Sequence, residues 1–68
     1  MRLTPRQQEV LEFIRAHISL YERPPTRLEI AQYFGWASPN AAEDHLKALK
    51  KKGAIFMTKG LARAIQIA

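Results

Sequence analysis

Cysteine is absent from this chain, which excludes a disulfide framework and any thiolate-held metal or cluster. Long apolar runs are missing as well: no stretch approaches the roughly 20 residues that a membrane-spanning helix needs. The opening Met1-Arg2-Leu3-Thr4 leads into a charged amphipathic segment, with neither the apolar core nor the cleavage site of a secretory signal. Glycine occurs only at 35, 53 and 60, each at an element end or turn, so there is no glycine-rich loop to cradle a phosphate. The two histidines, His17 and His45, lack the spacing of a zinc site and are expected at the core margin or surface. The hydroxyl residues Thr4, Ser19, Thr26, Ser38 and Thr58 fit as caps and turn residues, and none belongs to an activated nucleophile constellation. These absences point to a protein that is not an enzyme and takes no cofactor, metal or small-molecule substrate.

What the chain does have is positive charge, unevenly placed. Its 68 residues are enough for one small domain, with 47% apolar side chains to build a single core. Residues 1–44 hold five basic and six acidic side chains, a balance of −1, whereas residues 45–68 hold six basic and none acidic, giving +6. A cationic surface of this kind favours a polyanion, and nucleic acid is the usual partner of a small basic domain. The competing explanation is that Lys47, Lys50, Lys51 and Lys52 form a solvated helix end that complements the helix dipole.

Three helices are predicted. Thr4-Pro5-Arg6-Gln7 has capping-box spacing with proline at the first helical position, opening a helix over about 5 to 21. Val10, Leu11, Ile14, Ile18 and Tyr21 supply its buried stripe, with Phe13 and His17 at the margin. Glu22-Arg23-Pro24-Pro25 breaks it, because each proline drives the preceding residue out of the α region. Thr26 and Glu29 form a second capping box, Ile30, Ala31 and Phe34 an inward face, and Gly35 a left-handed stop. Ser38-Pro39 then restarts a helix to about 52, ending at Gly53. A short helix, a glycine-containing turn and a longer helix make a helix-turn-helix, whose second helix enters the major groove of DNA. Trp36 lies in that turn, where packing is a better assignment than base stacking.

The third helix carries the chemistry. At 100° per residue, Ala42, Leu46 and Leu49 share one side, and Asn40, Asp44, Lys47 and Lys51 the other, flanked by Glu43. Asparagine pairs bidentately with adenine, a carboxylate accepts from the cytosine amino group, and lysine contacts guanine or phosphate. An ordinary amphipathic helix would also show a polar face; the helix-turn-helix context favours DNA. After Gly53, the β-favouring runs 54–58 and 64–67 flank Lys59-Gly-Leu-Ala-Arg63, a hairpin tip. Such a wing brings Lys59, Gly60 and Arg63 to phosphates or a minor groove. The fold class expected is mainly α with a small β-hairpin, a winged helix-turn-helix of three helices plus a C-terminal antiparallel wing, in one domain over 1–68.

With these residues in view, the chain resembles the N-terminal DNA-binding domains of the LexA family of bacterial SOS-response repressors. The resemblance rests on Leu3-Thr-Pro-Arg-Gln-Gln-Glu-Val10, Pro24-Pro-Thr-Arg-Leu-Glu-Ile-Ala31, Ser38-Pro-Asn-Ala-Ala-Glu-Asp-His-Leu-Lys-Ala-Leu49, Lys52-Gly-Ala-Ile55 and Arg63-Ala-Ile-Gln-Ile67. It implies binding, as two copies, to palindromic double-stranded operators with CTGT-type half-sites, in the cytoplasm and on the nucleoid. It implies base reading by Ser38, Asn40, Ala41, Glu43 and Asp44, and backbone contacts by Arg6, Arg27, Lys59 and Gly60. Lys47, Lys51, Lys52 and Arg63 join the backbone set through the cationic surface. The chain departs from the family pattern at Tyr33 and Ala37, where a basic residue is common, at Asp44, where glutamate is common, and at Ala64, which replaces a glycine. Full-length family members continue into a self-cleaving domain with an Ala-Gly scission site and a Ser-Lys dyad. None of these lies within this chain, so a fragment of a longer repressor is expected rather than a stand-alone regulator.

The main rival is a winged-helix protein-interaction module that docks through Phe56, Met57 and Leu61, its basic end serving solubility. Steep salt dependence distinguishes DNA binding from it. An RNA-binding role would want an exposed aromatic platform, which the pattern does not offer.

Overall fold

The computed structural model describes residues 2–57 and 65–68. Helix α1 runs Pro5–Tyr21, α2 Arg27–Phe34 and α3 Pro39–Lys51, followed by strands β1, Ile55–Met57, and β2, Ile65–Ile67. The predicted starts are chemically explicit. Thr4 Oγ1 accepts from the Gln7 amide at 3.1 Å while Gln7 Oε1 accepts from the Thr4 amide at 3.0 Å. Thr26 and Glu29 close the same reciprocal box at 3.1 and 2.7 Å, so each helix begins with two backbone donors satisfied. Ser38 caps α3 by accepting from the Asn40 amide at 2.9 Å, and Pro39 follows at the first helical position.

The stops are equally local. Gly35 ends α2 at φ 73°, and the Trp36 amide reaches back to the Ala31 carbonyl at 2.8 Å, the paired-carbonyl ending that a left-handed residue permits. Gly53, at φ 78°, repeats the device after α3, with the Ala54 amide on the Leu49 carbonyl at 2.9 Å. At the end of α1 the left-handed residue is Glu22, at φ 58°, although it carries a Cβ.

One core joins all the described elements. Val10, Leu11, Ile14, Ile30, Ala42, Leu46, Leu49, Ile55 and Ile65 are buried together, and α3 packs against α1, α2 and β1. The strands pair antiparallel, Ile55 opposite Ile67, Phe56 opposite Gln66 and Met57 opposite Ile65. Alternation turns the four aliphatic and thioether side chains of the outer pairs toward the helices and leaves Phe56 and Gln66 exposed. Three helices and an antiparallel hairpin match the expected fold class.

The buried stripe of α1 differs from the expectation at its C-terminal end. His17 is buried and Tyr21 exposed, whereas the periodicity placed His17 at the margin and Tyr21 inside. The Glu22–Pro25 segment folds back over α1: His17 donates Nδ1–H to the Arg23 carbonyl at 2.8 Å, and Pro25 is buried beside it. Tyr21, one turn further on, is exposed, and its ring is tilted 49° to that of His17 with centroids 4.6 Å apart.

Candidate nucleic-acid interface

Helix α3 presents its polar side outward because Ala42, Leu46 and Leu49 anchor the other side completely. Asn40, Asp44, Lys47 and Lys51 are all exposed, as the projection requires, and Lys50 continues the cationic surface. Ser38 is half-buried, and its oxygen is used as the cap acceptor, which leaves its O–H free to donate outward. Ala41 is half-buried beside it. Asp44 forms no ion pair among the described residues.

Two residues assigned separately by sequence are brought together. Arg27, the first residue of α2, donates Nε–H to Oε1 of Glu43, in the second turn of α3. Both side chains are partly covered, with relative exposures of 35% and 26%. Glu43 Oε2 accepts no hydrogen bond from the described residues, and the Nη groups of Arg27 donate none to them. The sequence projection had put Glu43 on the flank of the polar face; it could not show that this flank faces α2.

Lys52 is also placed differently from Lys47 and Lys51. Its ammonium donates to the Arg2 carbonyl at 3.1 Å and to Gln7 Oε1 at 2.6 Å, tying the end of α3 to the start of α1. The member of the backbone set on α1, Arg6, is exposed, pairs with Glu9 at 3.4 Å, and sets its guanidinium 5.6 Å from the Phe34 ring centroid. Lys59, Gly60, Arg63 and Leu61 lie outside the described residues, as does Ala64.

The turn between α2 and α3 is held by stacked rings. Trp36 lies between Phe34, with centroids 4.8 Å apart, and His45, at 4.5 Å, with planes 16° and 14° from parallel. His45 donates Nδ1–H to the Ala41 carbonyl at 2.8 Å, which fixes the ring against α3. Packing is therefore the role of Trp36, as its position in the turn suggested. No sequence signal identified His45 as its partner, since that contact depends on the turn's path. Next to Phe34, Phe13 stacks on Tyr33 at 4.2 Å, with Tyr33 largely exposed at the mouth of an open groove between α1 and α2. Tyr33 thus occupies its departure from the family pattern as a packing residue.

Among the described residues no group of three or more His, Asp or Glu side chains converges as a metal site. No helix is long and apolar enough to cross a membrane.

A family model for the LexA DNA binding domain matches residues 1–64. Over 67 residues, 98% of this chain, the sequence is 61% identical to the LexA repressor of Dechloromonas aromatica. It is 57% identical over 65 residues to that of Thiobacillus denitrificans, covering 96% of the chain, and 59% identical over 66 residues to that of Pseudomonas aeruginosa, covering 97%. The chain spans about a third of the length of these curated relatives: 33%, 32% and 32% respectively. With its capped helix-turn-helix and paired wing strands, the chain belongs to the LexA DNA-binding domain family.

Proposed function

We propose that this domain binds double-stranded operator DNA as the reading module of a LexA-type SOS-response repressor, with the N-terminal half of α3 in the major groove and the wing on the backbone. The observation that carries this reading is the outward face of α3. Asn40, Asp44, Lys47 and Lys51 are exposed on a helix whose opposite side is wholly committed to the core. That face combines an adenine reader, a cytosine-amino acceptor and two cations, beginning beside the Ser38 hydroxyl.

Affinity and selectivity come from different groups. Each lysine that neutralises a phosphate releases about 0.9 of a condensed counterion, which supplies attraction to any DNA. Asn40 adds about 1–3 kcal/mol where adenine is present. Asp44, unpaired among the described residues, is repelled by phosphates and offsets that cost only where a cytosine amino group meets it, so wrong sequences are bound less well. The operator is a palindrome with CTGT-type half-sites, each taken by one copy of the domain.

Fluorescence anisotropy against a CTGT palindrome and a scrambled duplex, at several salt concentrations, tests the reading. Preference for the palindrome, steep weakening with salt and two copies per duplex are expected. A salt-independent, sequence-blind association would instead favour a protein-docking role for the exposed Phe56.

A further inference from the structure

Resting on the operator-binding reading, we propose that Arg27 is a positioning residue for base recognition: it screens and orients the Glu43 carboxylate, and so sets specificity at the base pair that Glu43 meets. A glutamate at the protein–DNA boundary starts at a disadvantage. Unpaired, its carboxylate is repelled by the phosphates on either side of the groove, and its flexible side chain must be ordered before it can accept from a cytosine amino group. The contact between α2 and α3 addresses both difficulties before DNA arrives.

The two backbones are fixed independently. Arg27 follows Thr26, whose reciprocal box with Glu29 locks the first turn of α2 behind the buried Pro25. Glu43 stands between the fully buried Ala42 and Leu46 in sequence, so α3 cannot rotate to release it. The guanidinium then holds one carboxylate oxygen, Oε1, through Nε, and Oε2 is left as the acceptor. Arginine suits this task better than lysine. Its planar fork binds in one orientation, and its Nη donors remain for a phosphate while Nε stays on Glu43. The neighbouring Asp44 has no such partner among the described residues, so the two acids of α3 differ in kind: one is held by a guanidinium and the other has no ion-pair partner there.

A simple phosphate ligand and a positioning residue make opposite predictions for Arg27→Lys. Lysine keeps the charge but loses the planar Nε contact. Binding is measured for the parent, R27K, E43Q and R27K/E43Q on the palindrome, on palindromes substituted at each half-site position, and on the scrambled duplex. Far-UV circular dichroism confirms that each variant is folded. At the position where E43Q loses discrimination, R27K is expected to lower the operator-to-substituted ratio about tenfold, within the range of one base contact. Its affinity for scrambled DNA is measured alongside, and the loss on the operator is expected to exceed any loss on scrambled DNA, since the charge is retained. The double variant should discriminate no worse than E43Q alone, because both changes remove the same interaction.

The proposal is overturned if R27K leaves every discrimination ratio at the parent value, or if its effect multiplies independently with that of E43Q. It is also overturned if E43Q loses discrimination at no position. Failure of the operator reading looks different: the parent itself would show no preference for the palindrome over the scrambled duplex.

Discussion

Trp36 lies face to face with His45, ring centroids 4.5 Å apart and planes 14° from parallel, so the only tryptophan of the chain rests directly on α3. Phe34 covers the other side of the indole, with Arg6 over the Phe34 ring in turn. The column joins α1, α2, the turn and α3, with Phe34 and Trp36 also packed against the aliphatic core. The rings therefore tie the turn of the helix-turn-helix to α3 alongside the aliphatic core.

His45→Ala should lower stability by about 0.5–1.5 kcal/mol, the range for one aromatic pair beyond its area. Urea denaturation followed by tryptophan fluorescence measures it, and emission of the native state should shift to the red as the exposed indole meets water. A midpoint equal to that of the parent would show that the stack contributes nothing to folding.

Asn40→Ala should spare general affinity and lose selectivity. About 1–3 kcal/mol of discrimination is expected to disappear while the lysine contacts persist. Titration against the palindrome and the scrambled duplex gives the ratio; equal weakening on both duplexes would place Asn40 away from the bases.

Two adjacent lysines should behave differently. Lys51 is exposed, and Lys51→Ala is expected to reduce the salt slope of DNA binding by about one. Lys52 is engaged with Arg2 and Gln7, so Lys52→Met should chiefly cost stability, about 1 kcal/mol or roughly 5 °C in Tm. Calorimetry and binding at three salt concentrations separate the two effects. Identical profiles for both variants would contradict the assignment of Lys52 to the helix ends.

Glu22→Gly should stabilise the domain. A left-handed residue bearing a Cβ costs about 1–2 kcal/mol, and glycine removes that cost while adding up to about 1 kcal/mol of unfolded-chain entropy. The net gain expected is about 0.5 kcal/mol, read as a rise in Tm of a few degrees. A lower Tm would mean that the Glu22 side chain contributes more than its backbone costs.

Features governed by neighbours in sequence were legible before any coordinates. Thr4 with Gln7, Thr26 with Glu29, Ser38 with Pro39, and Gly35 each act within a few residues, and each did what its local chemistry requires. The outward set Asn40, Asp44, Lys47 and Lys51 was legible because helical period alone decides it. Contacts across elements were not. Arg27 and Glu43 are 16 residues apart, and Lys52 and Gln7 are 45 apart, so each pairing depends on how whole helices cross. His17 was misjudged for a related reason: periodicity reports the face of α1, but the cover over its last turn comes from the backbone of Arg23.

The strand pairing of the wing has a consequence for how such a domain can diversify. Register is set by Ile55 against Ile67 and Met57 against Ile65, all packed toward the helices, and in sequence the two strands are joined by residues 58–64. Doubling the length of such a connection costs only about 0.6 kcal/mol in closure entropy. Changes in the length or charge of that connection are therefore expected to leave the buried face of α3 in place, so that the two ends of the domain can be altered separately.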